Sequence, residues 1–334
     1  MKKLFALMFI ALSVVALVGC KKDPVELVIY SDFAREVAEK ETYRNEIFEA
    51  FEEANNVVIR FETLAQAEDT FNKVDSEQKA NNHTIDLLIS HYGTMEDYIN
   101  AGYMENVSAL EDQLDDRTFL SAFDGSTVSN GNRYFFPINS DVYLSYANKS
   151  AFDTLPTGLT KADILAGNYT WEDYAAWAAA IGGNSTMLKG EPLKQLIYQV
   201  GGMALSNGGS FPALNDAGNL KAWQDIISMK ANIHPESATT LDSSAMMASG
   251  SVVLAFDLMT PIANAVNAAP ARYEVFPGPQ GSSGKAGSIA GGHGIGIVKN
   301  APHKELAEKF IEWFTAPEQI IYAALGTIPT LAEA

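Results

Sequence analysis

Three short runs of β-forming residues, apolar almost without interruption, are set apart by helix-length segments. They are Val25-Glu26-Leu27-Val28-Ile29-Tyr30, Val57-Val58-Ile59-Arg60-Phe61 and Ile85-Asp86-Leu87-Leu88-Ile89-Ser90. Runs of this kind suit strands buried on both faces, as in parallel sheets, rather than strands with one wet face. Between the first two, Ile47, Phe48, Phe51 and Ala54 recur at helical spacing while Glu46, Glu49, Glu52 and Glu53 fill the other side. Residues 67–80 also read as helical. Strand–helix–strand–helix–strand calls for right-handed crossovers and an α/β layer structure.

The pattern changes further along. Tyr134 to Pro137 and Val142 to Ala147 read as strands, with Asn139-Ser140-Asp141 between them. A helix-rich stretch follows, in which Thr170 and Asp173 have the spacing of a helix start and 193–205 and 217–230 read as helices. Ser251 to Phe256 reads as a buried strand, Pro261 to Ala268 as a helix and Tyr273 to Phe276 as a strand. Pro277 to Gly287 is a loop of Gly, Pro and Ser, and Ser288 to Val298 is a strand studded with glycine. Ala307, Phe310, Ile311 and Phe314 sit at i, i+3, i+4 and i+7, and Thr315 to Glu318 has capping-box spacing. With 334 residues, 47% of them apolar, the chain has material for two cores.

The start of the chain reads as an export signal. Lys2 and Lys3 precede a mostly apolar run from Leu4 to Val18, too short for a comfortable membrane span of roughly 20 residues. The run ends in Leu17-Val18-Gly19-Cys20, which resembles the bacterial lipobox, in which the cysteine is acylated and becomes the first residue after cleavage. Cys20 is the one cysteine of the chain, so no disulfide forms within a molecule. The expectation is a signal peptide over 1–19, a lipid anchor and tether over 20–24, and a folded body anchored outside the cytoplasmic membrane. Acidic residues number 41 against 23 basic, a net charge of −18, which excludes nucleic acid as a partner.

Most catalytic and cofactor motifs fail on inspection. Gly278 to Lys285 looks like a phosphate loop, but Pro279 stands where the first glycine belongs and Ala286 where Ser or Thr should follow the lysine. Gly292-His293-Gly294-Ile295-Gly296 misses the dinucleotide pattern because Ile297 takes the last glycine position. His83, His91, His234, His293 and His303 include no pair at helical zinc spacing, so no metal or cofactor is expected. No Gly-x-Ser-x-Gly elbow exists. Paired carboxylates for glycoside hydrolysis stay open as an alternative, with Asp32, Asp141 and Asp257 the ones to watch. A non-transport adhesive lipoprotein is a further alternative. What stands out is chemistry at strand ends: Ser31-Asp32-Phe33 after the first run and Ser90-His91-Tyr92 after the third. Ligands of open α/β sheets bind there, and polar groups beside rings suit sugars.

The order of features resembles the bacterial extracellular solute-binding proteins of family 1, the maltose-binding-protein-like group, from Glu26 to Ala334. The resemblance is carried by Ile85-Asp86-Leu87-Leu88 with Ala101-Gly102-Tyr103-Met104-Glu105, and by Gly131-Asn132-Arg133-Tyr134-Phe135-Phe136-Pro137 followed by Tyr143-Leu144-Ser145-Tyr146-Ala147-Asn148-Lys149. It continues through Tyr169-Thr170-Trp171-Glu172-Asp173-Tyr174, Ala248 to Leu254, and Gly291-Gly292-His293-Gly294-Ile295-Gly296-Ile297 with Lys304 to Thr315. It implies a two-lobed, periplasmic-binding-protein-like α/β fold of the class II type, each lobe a mixed sheet flanked by helices. One lobe would take 25–139 and 259–313, the other 140–258 and 314–334, with crossings near Asn139-Ser140-Asp141, Phe256-Asp257-Leu258 and Thr315. It implies no enzyme activity and no cofactor. The implied role is a monomeric receptor that carries a small polar solute, a sugar or oligosaccharide, to an ABC permease.

Carried over by position, the ligand-binding candidates are Ser31, Asp32, His91, Tyr92, Asp141, Tyr143, Gly202, Asp257 and His293, with Phe33 and Phe256 at the rim. Many sugar-binding members have Trp where this chain has Leu258 and His293, so the stacking surface must come from Tyr, Phe or His. Family members usually continue for further helices beyond the position of Ala334, which predicts a shortened second lobe with apolar surface exposed.

Overall fold

The computed structural model describes residues 24–333 apart from 35–36, 65–66, 191–192, 214, 240–242 and 325–326. The expected signal peptide and Cys20 lie outside the described residues. Ten strands carry the fold: β1 (Val25–Ser31), β2 (Val57–Thr63), β3 (Leu87–His91), β4 (Phe136–Asp141), β5 (Tyr143–Asn148), β6 (Thr186–Met187), β7 (Leu254–Leu258), β8 (Tyr273–Phe276), β9 (Gly291–Ile297) and β10 (Ile328–Pro329). They form a six-stranded sheet, β10-β4-β9-β3-β1-β2, and a four-stranded sheet, β8-β5-β7-β6; a further two-stranded pair links Val128–Ser129 to Asn132–Arg133. β1 pairs in parallel with β2 and β3, whereas β9 runs antiparallel to both β3 and β4. The sheet is therefore mixed, as expected, and the helix expected over 67–80 forms as α2 (Ala67–Ala80) between β2 and β3.

The apolar runs are explained by burial on both faces of the larger sheet. Leu27, Ile29, Phe61, Leu87, Ile89 and Ile295 pack in one core, and Leu88 packs in a separate one with Tyr92, Tyr98 and Phe135. Two helices cover the first face: α1 (Glu49–Asn55) and α8 (Lys304–Phe314), the second of which buries Ala307, Phe310, Ile311 and Phe314. Phe310 meets Phe51 at 5.0 Å, Phe314 at 5.1 Å and Phe48 at 5.7 Å between ring centroids. The segment before α1 departs from the regular helix expected there: Tyr43–Ile47 is a π-helical turn, which turns Tyr43, Ile47 and Phe48 into this core.

The four-stranded sheet has its own core, made with α4 (Trp171–Ile181), α5 (Leu193–Ser206) and α6 (Ala217–Met229). The capping box at Thr170 and Asp173 is present. Trp171 and Trp177 are buried, and their ring N–H groups donate to Ser206 Oγ at 3.0 Å and Ala151 O at 2.9 Å. Both serve the core rather than a binding surface. The other box does not form: Thr315 Oγ donates back to Ile311 O at 2.8 Å, and Pro317 opens the short helix α9 (Pro317–Ala323).

The partition of the chain differs from the expected one at two places. Residues 259–276 stay with the smaller sheet: Ile262 and Ala265 of α7 (Met259–Ala268) pack with Met187 and Ala255, and β8 pairs with β5. The final stretch joins the larger sheet, not the smaller. Ile320, Ala323 and Leu331 enter its core, the Tyr43 hydroxyl donates to Ala323 O at 2.5 Å, and Ile328 pairs with Ser140. Both shifts follow apolar burial, which a motif order does not report. Among the described residues the chain crosses between sheets at Asp141–Tyr143 and again over 277–290.

Phe310 is the hub of the ring cluster under the larger sheet. Phe310→Ala is expected to lower unfolding free energy by about 3–5 kcal/mol, measured as a lower urea midpoint with unchanged slope. A loss below 1 kcal/mol would show that the cluster is not packed as described.

Candidate functional site

Between the two sheets, at the carboxyl ends of β1 and β3, lies a cavity of about 370 Å³. Its walls come from Asp32, Phe33, His91, Asn139 and His293 on one side and Asp141, Leu258 and Thr260 on the other, with Ala34, Glu39, Gly291, Gly292 and Thr327 completing the lining. Small-molecule sites span roughly 300–1,000 Å³, so this one is at the small end. A larger, more open hollow of about 630 Å³ sits at the opposite end of the larger sheet, beside Val25, Val57 and the start of α8. That is the amino end of the parallel strands, where open α/β sheets do not hold ligands.

Each wall residue is placed by the strand that ends beside it. β1 finishes at Ser31, whose Oγ accepts the Phe33 N–H at 2.9 Å and donates to Phe33 O at 3.0 Å. This tight turn puts Asp32 and Phe33 at the strand tip. Asp32 is buried, and its Oδ2 accepts the His91 N–H at 3.3 Å and the Ser90 hydroxyl at 3.4 Å. β3 finishes at His91, which caps the helix α3 (Tyr92–Asn100): Nδ1 accepts the Gly93 N–H at 3.0 Å. In the neutral ring that bond leaves the proton on Nε2.

His293 arrives on β9, in register with His91 on one side and Asn139 on the other. The Phe33 ring stacks on its imidazole at 4.4 Å and 29°, the His91 ring meets it edge-on at 5.5 Å, and Asp32 Oδ1 lies 3.8 Å from its Nε2. Gly292 makes this approach feasible. Its φ is +129°, and a Cβ there would lie 2.2 Å from Asn139 O and 2.9 Å from the Tyr92 ring. Only glycine lets β9 run so close to β4, and the irregularity between His293 and Gly294 re-aims the strand. The Asn139 side chain then accepts the His293 N–H at 2.7 Å.

The opposite wall is held by Asp141, at the point where the chain leaves the larger sheet. Its Oδ1 accepts the Met259 N–H at 3.0 Å and its Oδ2 the Thr260 hydroxyl at 3.2 Å. Burial, with a smaller contribution from the Asp257 carboxylate, pushes the Asp141 carboxyl up to about 6; the two hydrogen bonds and Lys189 work the other way.

Of the sequence candidates, Asp32, His91, Asp141 and His293 converge on the cavity, as does Phe33. The others lie elsewhere. Ser31 is spent on the turn. Tyr92 is buried against Phe123, and its hydroxyl donates to Asn139 O at 2.9 Å, so it supports the wall from behind. Tyr143 is buried against Phe256, and its hydroxyl has no hydrogen-bond partner among the described residues. Gly202 packs under the backbone of Gly287 and Ser288. Asp257 is buried in an ion pair with Lys189, Nζ to Oδ1 2.8 Å, both side chains under 5% exposed. Burial still pushes the Asp257 carboxyl up, and Lys189 opposes it. Motif reading passed over Asn139 and Thr260 as lining residues and Lys189 as a partner; a lone lysine in a mixed stretch carries no periodic signal.

The arrangement can accept and donate hydrogen bonds and can stack an apolar face on a ring pair. Among the described residues no group of three or more His, Cys, Asp or Glu is placed to hold a metal ion, and no helix is long and apolar enough to cross a membrane.

Residues 46–334 match the family described as Bacterial extracellular solute-binding protein. No curated protein matches the chain by sequence. Among solved structures, the maltose-bound MalE3 of T. maritima is similar over 92% of this chain and 81% of its own, at 18% identity and a TM-score of 0.74. A Thermotoga lettingae ABC transporter solute-binding protein with bound α-D-tagatose is similar over 92% and 82%, at 20% identity and 0.71. One from Agrobacterium vitis with bound D-mannitol is similar over 92% and 77%, at 17% identity and 0.68. At such identities the likeness speaks to fold: the two-lobed α/β architecture is shared.

Lys189 neutralises a carboxylate that has no route to water. Lys189→Met is expected to cost about 3–5 kcal/mol at neutral pH by leaving Asp257 buried and unpaired. Because the folded state raises the Asp257 pKa, protonation favours folding, so the variant should recover stability relative to wild type as pH falls toward 4. Chemical unfolding at several pH values checks this; a deficit that is constant with pH would mean the pair is not what Lys189 supports.

Proposed function

The chain belongs to the bacterial extracellular solute-binding proteins, and from that premise we propose that it captures a small sugar or short oligosaccharide between its two sheets for an ABC importer. The observation that carries the sugar reading is the cavity wall itself. A phenyl ring and an imidazole lie stacked beside a buried carboxylate, an amide and a second imidazole. Sugars present hydroxyls that need both donors and acceptors and C–H faces that pack on rings. The Phe33–His293 pair supplies the flat surface that Trp supplies in many relatives, and Asp32, Asn139 and His91 supply the polar partners. The bound maltose and tagatose of two similar structures support the same class of solute, and the bound mannitol of a third is a related polyol.

Capture proceeds by movement of one sheet unit against the other about the crossings at Asp141–Tyr143 and 277–290. A solute touching both walls favours the closed arrangement by its differential affinity for it. A micromolar solute has about −8 kcal/mol of net binding free energy. The importer's permease then recognises the closed form. Cys20, acylated, holds the receptor at the outer face of the membrane, and the receptor works as a monomer. No bond in the solute is made or broken.

A thermal-shift and calorimetry panel of maltose, glucose, tagatose and mannitol tests the reading. At least one is expected to bind, and to be recovered unchanged after prolonged incubation. Phe33→Ala and His293→Ala should each weaken it at least tenfold, about 1.4 kcal/mol. Hydrolysis of maltose would replace the receptor with a glycosidase using Asp32 and Asp141, and unaltered affinity in both variants would remove the ring pair from the site.

A further inference from the structure

We propose that solute capture is coupled to protonation of Asp141, so that the cleft holds its solute more tightly in mildly acidic surroundings than at neutral pH. This coupling presupposes the solute-binding reading of the cleft and deepens it. Asp141 is where the moving parts meet. It is the last residue of β4, with only Val142 between it and the first strand of the smaller sheet. It pairs in register with Gly291, the first residue of β9, where the chain comes back. Its carboxylate accepts from Met259 and Thr260, which open α7 on the smaller-sheet side. The same side chain lines the cavity. One carboxylate therefore touches both crossings, the opposite unit and the solute space.

Among the described residues, charged and titratable groups face it from several elements. Asp257 of β7 and Lys189 beyond β6 act on it through space, and Tyr143 of β5 lies within electrostatic reach. His91 approaches from β3: a Cβ on Gly291 would sit between its Nε2, at 3.7 Å, and the Asp141 Cβ, at 3.8 Å. Asp32, Glu39 and His293 share the cavity. Burial already holds the carboxyl up at about 6. A solute that fills the cavity strips remaining water from it. Each oxygen already accepts one protein donor and keeps only part of its acceptor capacity for a solute hydroxyl, so added burial, which penalises the ionised form, is the larger change. A carboxyl whose pKa is higher in the filled than in the empty cleft takes up a proton on binding. Affinity then rises as pH falls through that range and levels off below the empty-cleft value.

Calorimetry on the mature chain, with the tightest-binding sugar of the panel, tests this from about pH 5 to about pH 8 in buffers of different ionisation enthalpy. Wild type should bind at least about threefold more tightly near pH 5.5 than near pH 7.5, with net proton uptake. Asp141→Asn should bind with an affinity flat across the range. Thr260→Val removes one donor to the carboxylate and should move the rise to higher pH, which keeps the test alive if the first variant does not fold. A flat or falling wild-type affinity at low pH overturns the coupling while leaving the receptor reading intact. So does a pH dependence that survives in Asp141→Asn and disappears in His91→Gln or His293→Gln. Absence of binding by every sugar at every pH overturns the receptor reading, and the coupling with it.

Discussion

A sheet covered by apolar side chains on both faces leaves water only at its edges and strand ends, and this constraint shapes the molecule. The larger sheet buries alternate residues of β1 and β3 in different cores, so no side chain in the middle of those strands is free for a solute. Polar groups that must stay reachable are pushed to the tips, where Asp32, His91 and His293 sit. Tips alone make a half-site, since a single sheet gives a solute one wall. The second wall exists because the chain passes into another sheet immediately after Asp141, which brings Leu258 and Thr260 opposite the tips.

The two buried carboxylates of the second wall show how small differences in position set different roles. Asp257 lies behind the wall, fully covered, and is matched at 2.8 Å by Lys189. An ion pair this deep is costly to create and more costly to halve, so it fixes the local structure. Asp141 lies at the crossing itself and has no ion pair among the described residues; it is held by a backbone N–H and a hydroxyl. Its charge is therefore supported by dipoles carried on the opposite unit. In the first arrangement a cation opposes the upward push of burial on the carboxyl, and in the second only hydrogen bonds and the more distant Lys189 do.

Much of the fold was legible because it is written in periodicity. The apolar stripe of α8, the buried runs of β1 and β3 and the capping box at Thr170 each reduce to local rules, and each formed as read. The π-turn at Tyr43–Ile47 and the placement of 259–276 and 317–331 were not legible, because they depend on which distant apolar surface wins. The site divides along the same line. Asp32 and His91 follow from strand ends, but Tyr92, one residue further, turns inward because its ring finds Phe123 and its hydroxyl finds Asn139 O. Lys189 carries no sequence signal at all; only its contact with Asp257 reveals it.

Gly292 ties these threads together. Its missing side chain lets β9 lie against Asn139, and that closeness sets the aim of His293 onto Phe33 and toward Asp32. The same strand begins at Gly291 beside Asp141, so the position of the ring pair and the position of the crossing are fixed by one backbone segment four residues long, Gly291 to Gly294. Under the proposed capture, a solute pressing on the His293 ring would push on the strand that pairs with Asp141. The ring pair at the tips and the crossing at Asp141 are thus joined through that segment, without any need for a longer path through the core.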